Sequence, residues 1–178
     1  MEFLQLDRSH ALAYKALMLE AYALSADAFT SSVQERIDKS DAWWIQRIAD
    51  ANAQSLTFGA IEGGELVGSA RLEFYEPLKN RHKAHLTAVY VKPAWRGKKL
   101  GRALVKLVLQ QAAQRPGIAL VNLSVTEGNT AAQALYVSLG FEVYGTEPMA
   151  IRATDSYLAK VLMYQLVGDS AGKRLGDP

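Results

Sequence analysis

Apolar and polar residues alternate in several short runs of this 178-residue chain and recur at helical spacing in others. Residues 2–7 alternate and carry acids, which predicts a first strand and no signal peptide. Ser9 is placed to cap a helix running to about Ala23, with Leu12, Ala16, Leu19 and Ala23 on one face. Ser25 to Ser32 is a polar break. Ser32-Val33-Gln34-Glu35 has the spacing of a capping box and starts a second helical segment. Asp41 restarts that segment, and Trp43, Trp44, Ile45 and Ile48 give it an apolar side.

Leu56 to Ile61 and Leu66 to Tyr75 read as strands joined by a Glu62-Gly63-Gly64-Glu65 hairpin turn. After a loop at Pro77 to Arg81, Lys83 to Val91 is a strand and Leu100 to Gln114 a helix stopped by Pro116-Gly117. Ile118 to Thr126 is nearly uncharged, as a buried central strand would be. Asn129 opens a short helix closed by Gly140. Glu142 to Ile151 and Lys160 to Val167 form a last strand pair. The order β-α-α-β-β-β-α-β-α-β-β predicts an α/β (α+β) domain over residues 1–167 with a mixed central sheet. Residues 168–178 form a polar tail, expected to be mobile unless tied down.

Composition changes this picture little. The net charge of +2, with no dense basic run, argues against a nucleic-acid partner. No apolar run approaches the ~18 residues of a membrane span. The chain has no cysteine, which removes disulfides and thiolate chemistry and fits a reducing cytoplasm, the expected location. His10, His82 and His85 lack a metal-ligand spacing, so no metal is expected.

The candidate chemistry begins where the strand ending Val89-Tyr90-Val91 runs through Pro93 into Arg96-Gly97-Lys98-Lys99-Leu100-Gly101-Arg102. Small residues let a ligand approach the backbone. Unpaired N–H groups at a helix start, together with the helix dipole, favour an anion. Lys98, Lys99 and Arg102 add positive charge. The spacing is neither the dinucleotide fingerprint nor a Walker loop, so the turn by itself reads as a generic phosphate cradle.

Arg96-x-x-Lys99-x-Gly101 after an apolar strand resembles the acetyl-CoA-binding signature of the GNAT superfamily of N-acetyltransferases. Asn129-Thr130-Ala131-Ala132-Gln133-Ala134-Leu135-Tyr136 through Gly140-Phe141 is similar to a second segment of that family. The resemblance covers roughly residues 1–167 and implies an acetyl-CoA-dependent N-acetyltransferase acting on a small-molecule or peptide amine by direct attack in a ternary complex. It implies that the backbone of Val89, Tyr90 and Val91 lines the pantetheine arm and that N–H groups from Arg96 to Arg102 hold the pyrophosphate. Asn129 would contact the cofactor arm, and Tyr136 would return a proton to the departing thiolate. A homodimer is also implied. The residues leave simpler roles open: Asn129 as a helix cap, Tyr136 as core, and Gly140-Phe141 as a helix stop.

Lys99 stands where the family usually has glycine. Ordinary helix-start geometry is expected there, with Gly101 supplying the close approach. Glu73 and His85 are the candidate bases. His85 is expected to share a face with Val89 and Val91 by strand parity, and Glu127 is a further carboxylate at a strand end. Phe29, Trp43, Trp44, Tyr75 and Tyr157 are candidates to line an acceptor site between the first helices and the last hairpin. A non-catalytic acyl-CoA-binding module and a binder of another nucleotide are the alternatives.

Overall fold

The structure, a computed structural model, describes residues 1–49, 54–153 and 155–171. One seven-stranded mixed sheet runs through it. The strands are β1 (Glu2–Gln5), β2 (Ser55–Glu62), β3 (Glu65–Phe74), β4 (Lys83–Val91), β5 (Leu120–Thr126), β6 (Glu142–Arg152) and β7 (Tyr157–Leu166). The helices are α1 (Ala11–Leu24), α2 (Val33–Arg36), α3 (Asp41–Ile48), α4 (Leu100–Gln114) and α5 (Thr130–Val137). The sheet order is β1-β2-β3-β4-β5-β7-β6, antiparallel except for β4 with β5. No described helix is long and apolar enough to cross a membrane.

Local signals hold closely where they lie within a few residues. Ser32 accepts from the Glu35 N–H while Glu35 accepts from the Ser32 N–H, so the capping box forms. Gly63 and Gly64 both have positive φ, as a tight two-residue hairpin turn requires. The second helical segment divides into α2 and α3, with Ser40 rather than Asp41 capping the latter.

Two apolar layers pack on opposite faces of the sheet. On one, Leu100, Leu104, Val105 and Val108 of α4 meet Phe58, Leu72, Leu86 and Leu123. On the other, Tyr14, Leu17, Met18 and Ala21 of α1 pack with Trp44 and Ile48 of α3. The expected inner face of α1 is therefore corrected. Leu12, Ala16 and Ala23 are exposed and Leu19 is half-buried. An Ala-rich helix offers apolar residues on most of its circumference, and the large rings that interlock with α3 set its phase. Tyr14 meets Trp44 edge-on at 6.0 Å. A short turn at Arg8–His10, capped by Asp7 rather than Ser9, precedes α1. The start of the tail forms a turn at Gly168–Ser170, and the rest of the expected tail, 172–178, lies outside the described residues.

Candidate active site

β4 and β5 are paired only over Lys83–His85 and Leu120–Asn122 and then part. Beyond His85, one edge of β4 is left without a strand partner among the described residues. On its other edge a bulge forms, where β3 advances from Ser69 to Arg71 while β4 advances from Tyr90 back to Thr87. Ala88 sits in the bulge with φ of 51°, and its carbonyl accepts from Ser69 Oγ at 3.1 Å. A cleft of about 510 Å³ opens along the free edge, lined by Val89, Tyr90 and Val91 on one wall and Asn129, Ala132 and Leu135 on the other. A smaller hollow of about 170 Å³ continues from it toward the start of the strands and shares Val89, Asn129 and Ala132.

The cleft ends at the start of α4. No backbone hydrogen bond to a described residue uses the N–H groups of Gly97 to Arg102; the first one of the helix is Ala103 N–H to Lys99 O. Gly97 and Lys99 both have positive φ, 77° and 63°. That local geometry turns consecutive N–H groups to one side and makes an anion-binding concavity. The expectation of ordinary helix-start geometry at Lys99 is thus overturned. Lys99 is left-handed, at a cost of about 1 kcal/mol relative to glycine. A Cβ at Gly101 would stand 3.5 Å from Leu135 and 3.9 Å from Val91, ordinary contact distances on the cleft wall.

Arg96, Lys99 and Arg102 line the cleft, and three of the turn's four cationic side chains are oriented by neutral neighbours. Arg96 Nε donates to the Val91 carbonyl at 3.1 Å, and Arg102 Nη2 donates to Ser138 Oγ at 2.6 Å. The Lys98 ammonium lies 4.1 Å from the Trp95 ring centroid, and Lys98 does not line the cleft. Lys99 lines it and makes no ion pair with a described residue. The cradle is built from backbone more than from lysine.

Asn129 caps α5, with Oδ1 accepting from Ala132 N–H at 3.2 Å, and also lines the cleft. Tyr136 lines the smaller hollow. Its ring is buried, edge-on to Phe141 at 5.7 Å, and burial pushes its hydroxyl up to about 12. Gly140 has φ of 97° and turns the chain so that Phe141 reaches the core.

The bulge reverses the expected parity of His85. Ala84 and Leu86 pack on the α4 side, as do Val89 and Val91, while Ala88 and Tyr90 pack on the α1 side. One extra residue has exchanged the faces. His85 therefore faces the α1 side. It stands in a row of cross-strand neighbours, Ser55, Glu73, His85, Asn122, Tyr164 and Glu142. His85 Nδ1 is 2.8 Å from Asn122 Oδ1, and Asn122 Nδ2 donates to Tyr75 Oη at 3.2 Å. Glu73 is ion-paired with the buried Arg71, whose Nη2 donates to Ser55 Oγ at 2.9 Å. His85 lines the hollow; Glu73 does not.

Of the aromatic candidates, only Phe29 lines the cleft, packed against Tyr22 at 5.3 Å. Trp44 is core, Trp43 lies beside Arg36 and Arg47, Tyr75 is held by Asn122, and Tyr157 is exposed. Glu127 borders a neighbouring hollow with Ser25 and Asp27.

A family model described as acetyltransferase (GNAT) family matches residues 18–141. The chain belongs to this acetyltransferase family. The match runs from the middle of α1 to the Gly140-Phe141 stop and so includes the cleft, the cradle and α5. No curated protein matches the chain. Solved GNAT-family structures share the fold at low identity. An acetyltransferase from Streptococcus pneumoniae superposes with a TM-score of 0.83 at 18% identity, over 94% of this chain and 99% of its own. The yncA protein of Salmonella typhimurium, solved with its cofactor acetyl-CoA, gives 0.79 at 23% over 98% of each chain. A phosphinothricin acetyltransferase from Sinorhizobium meliloti in complex with acetyl-CoA gives 0.83 at 17%, over 97% of this chain and 91% of its own.

Sequence reading of this acetyltransferase missed Trp95, Leu135 and Lys160. The first two line the cleft and the third the hollow. Leu135 lay inside the matched segment, directly before Tyr136, and was open to notice. Lys160 carried no local signal, because its strand reaches the hollow only through pairing with β5.

Proposed function

We propose that this acetyltransferase binds acetyl-CoA along the free edge of β4 and transfers the acetyl group to a primary amine in a ternary complex. The observation that carries the reading is the continuous path from the open N–H groups of Gly97 to Arg102, along Val91 to Val89, to Tyr136. The open N–H groups fit a pyrophosphate, and the unpaired strand edge fits a chain of amides such as pantetheine. Acetyl-CoA supplies an activated thioester carbonyl and a thiol leaving group.

The protein's residues then have separable tasks. The N–H groups of the cradle, with Lys99, hold the anion. Backbone groups of Val89 to Val91 orient the amide arm as a neighbouring strand would, and a free N–H there polarises a carbonyl. Tyr136 keeps its proton at Oη and donates a hydrogen bond to the sulfur as charge builds. Its value of about 12 lies above the ~8.5 of an ordinary thiol, so hydrogen bonding is favoured over complete transfer.

His85 is the base we favour over Glu73. Pairing of Nδ1 with Asn122 Oδ1 makes Nδ1 the donor and leaves Nε2 free to accept a proton from the amine, directly or through water. Glu73 is committed to Arg71. Calorimetric titration with CoA and with ATP tests the binding half. Tight binding of CoA alone supports the reading, and equal binding of ATP refutes it. Release of free CoA on adding primary amines tests the transfer half. CoA binding without turnover of any amine would leave the non-catalytic module.

A further inference from the structure

We infer that Lys160 is a specificity-determining residue that binds an anionic group of the acceptor, so that the substrate is a small amine carrying a carboxylate; this rests on the transferase reading above. Lys160 lines the hollow of about 170 Å³ together with Tyr136, His85 and Val89. The other polar residues lining it are Thr30, Thr87, Ser124, Thr126 and Asn129, and no described Asp or Glu lines it.

Lys160 makes no ion pair with any described residue. Its cross-strand partners are Thr126 on β5 and Glu147 on β6. Glu147 is exposed and acts on it only at longer range, while partial burial lowers the lysine's pKa. A half-buried ammonium without a counter-ion is costly, and an incoming carboxylate supplies one. The same charge opposes protonation of the acceptor's amine and so favours the nucleophilic form. Lys160 and His85 line the same small hollow, so an acceptor that meets both carries its amine and its anion on one compact molecule. An amino acid satisfies that chemistry; a polyamine does not.

The test compares matched pairs differing only in the anion: glycine with glycinamide and β-alanine with β-alaninamide, with rates corrected to the free-amine concentration. Wild-type protein is expected to prefer each acid in kcat/KM by tenfold or more. Lys160→Met should lower kcat/KM for the acids at least tenfold more than for the amides, and Lys160→Arg should restore most of the preference. Calorimetry of N-acetylglycine against N-acetylglycinamide, with CoA present, reads the same preference without turnover. Preference for the amides, or an acid preference unchanged in Lys160→Met, overturns this inference and leaves amine acetylation standing. CoA binding with no acetylation of these or any other primary amines overturns both.

Discussion

His85 and Asn122 face each other on the last paired rung of β4 and β5, with Nδ1 and Oδ1 2.8 Å apart. One contact thus marks where the strands part and sets the imidazole tautomer beside the opening. His85→Ala should lower kcat by at least about a hundredfold, as loss of a general base does. Asn122→Leu should cost less, since the imidazole remains but its tautomer is no longer held. Steady-state kcat values separate the two variants, with the larger loss in His85→Ala. An unchanged rate in His85→Ala removes His85 from the chemistry.

Tyr136→Phe should reduce kcat about ten- to a hundredfold, the worth of one hydrogen bond to a developing charge, with little change in KM for acetyl-CoA. The hydroxyl also links stability to pH. Its value rises from 10.0 to about 12 on burial, so its contribution is fully present below pH 10 and is lost as pH climbs toward 12. Thermal melts from pH 8 to 12 should therefore fall less steeply for Tyr136→Phe than for the wild type. Tyr90, also pushed to about 12 by burial and then by its hydrogen bond to Glu20, keeps part of the slope in both.

Lys99→Gly separates conformation from charge. Removing the side chain relieves the left-handed strain at φ of 63° and should raise stability by up to about 1 kcal/mol in denaturant titrations. CoA affinity should fall at low salt, and the difference from wild type should shrink at high salt, because only a charge beside the phosphates has been lost. A loss of affinity independent of salt would mean that Lys99 acts through geometry.

Asn129→Ala removes the α5 cap and should cost about 1 kcal/mol. Asn129→Ser retains a capping oxygen and should recover most of that stability. Calorimetry with CoA then distinguishes the roles. If Asn129→Ser binds as the wild type does, the residue acts as a cap; weakened binding with restored stability shows a contact to the cofactor arm.

Much of the frame was legible because its causes are local. The alternation of Lys83 to Val91 and the helical period of Leu100 to Gln114 lie within their own segments, and both elements occupy those residues. The Ser32 and Glu35 box and the Gly63-Gly64 turn depend on a few adjacent backbone groups. The family motifs were visible for the same reason, since the cradle and the Asn129 cap are built from contiguous chain.

What the chain alone left open lies across strands. The face that His85 presents depends on one extra residue at Ala88, held by Ser69 on β3, and no pattern within β4 reveals a bulge fixed by its neighbour. The phase of α1 depends on Tyr14 meeting Trp44. The left-handed turn at Lys99 is tolerated only because the surrounding strand-to-helix connection holds it, against the residue's own preference. Lys160 reaches the hollow through a strand pairing that joins residues far apart in sequence. Sequence by itself determined the elements and a turn suited to an anion, through short-range propensity and hydrogen bonding, and its motifs carried the family resemblance. Tertiary structure decided which side chains face one another across the gap, because pairing and packing are energies between segments that a single segment does not contain.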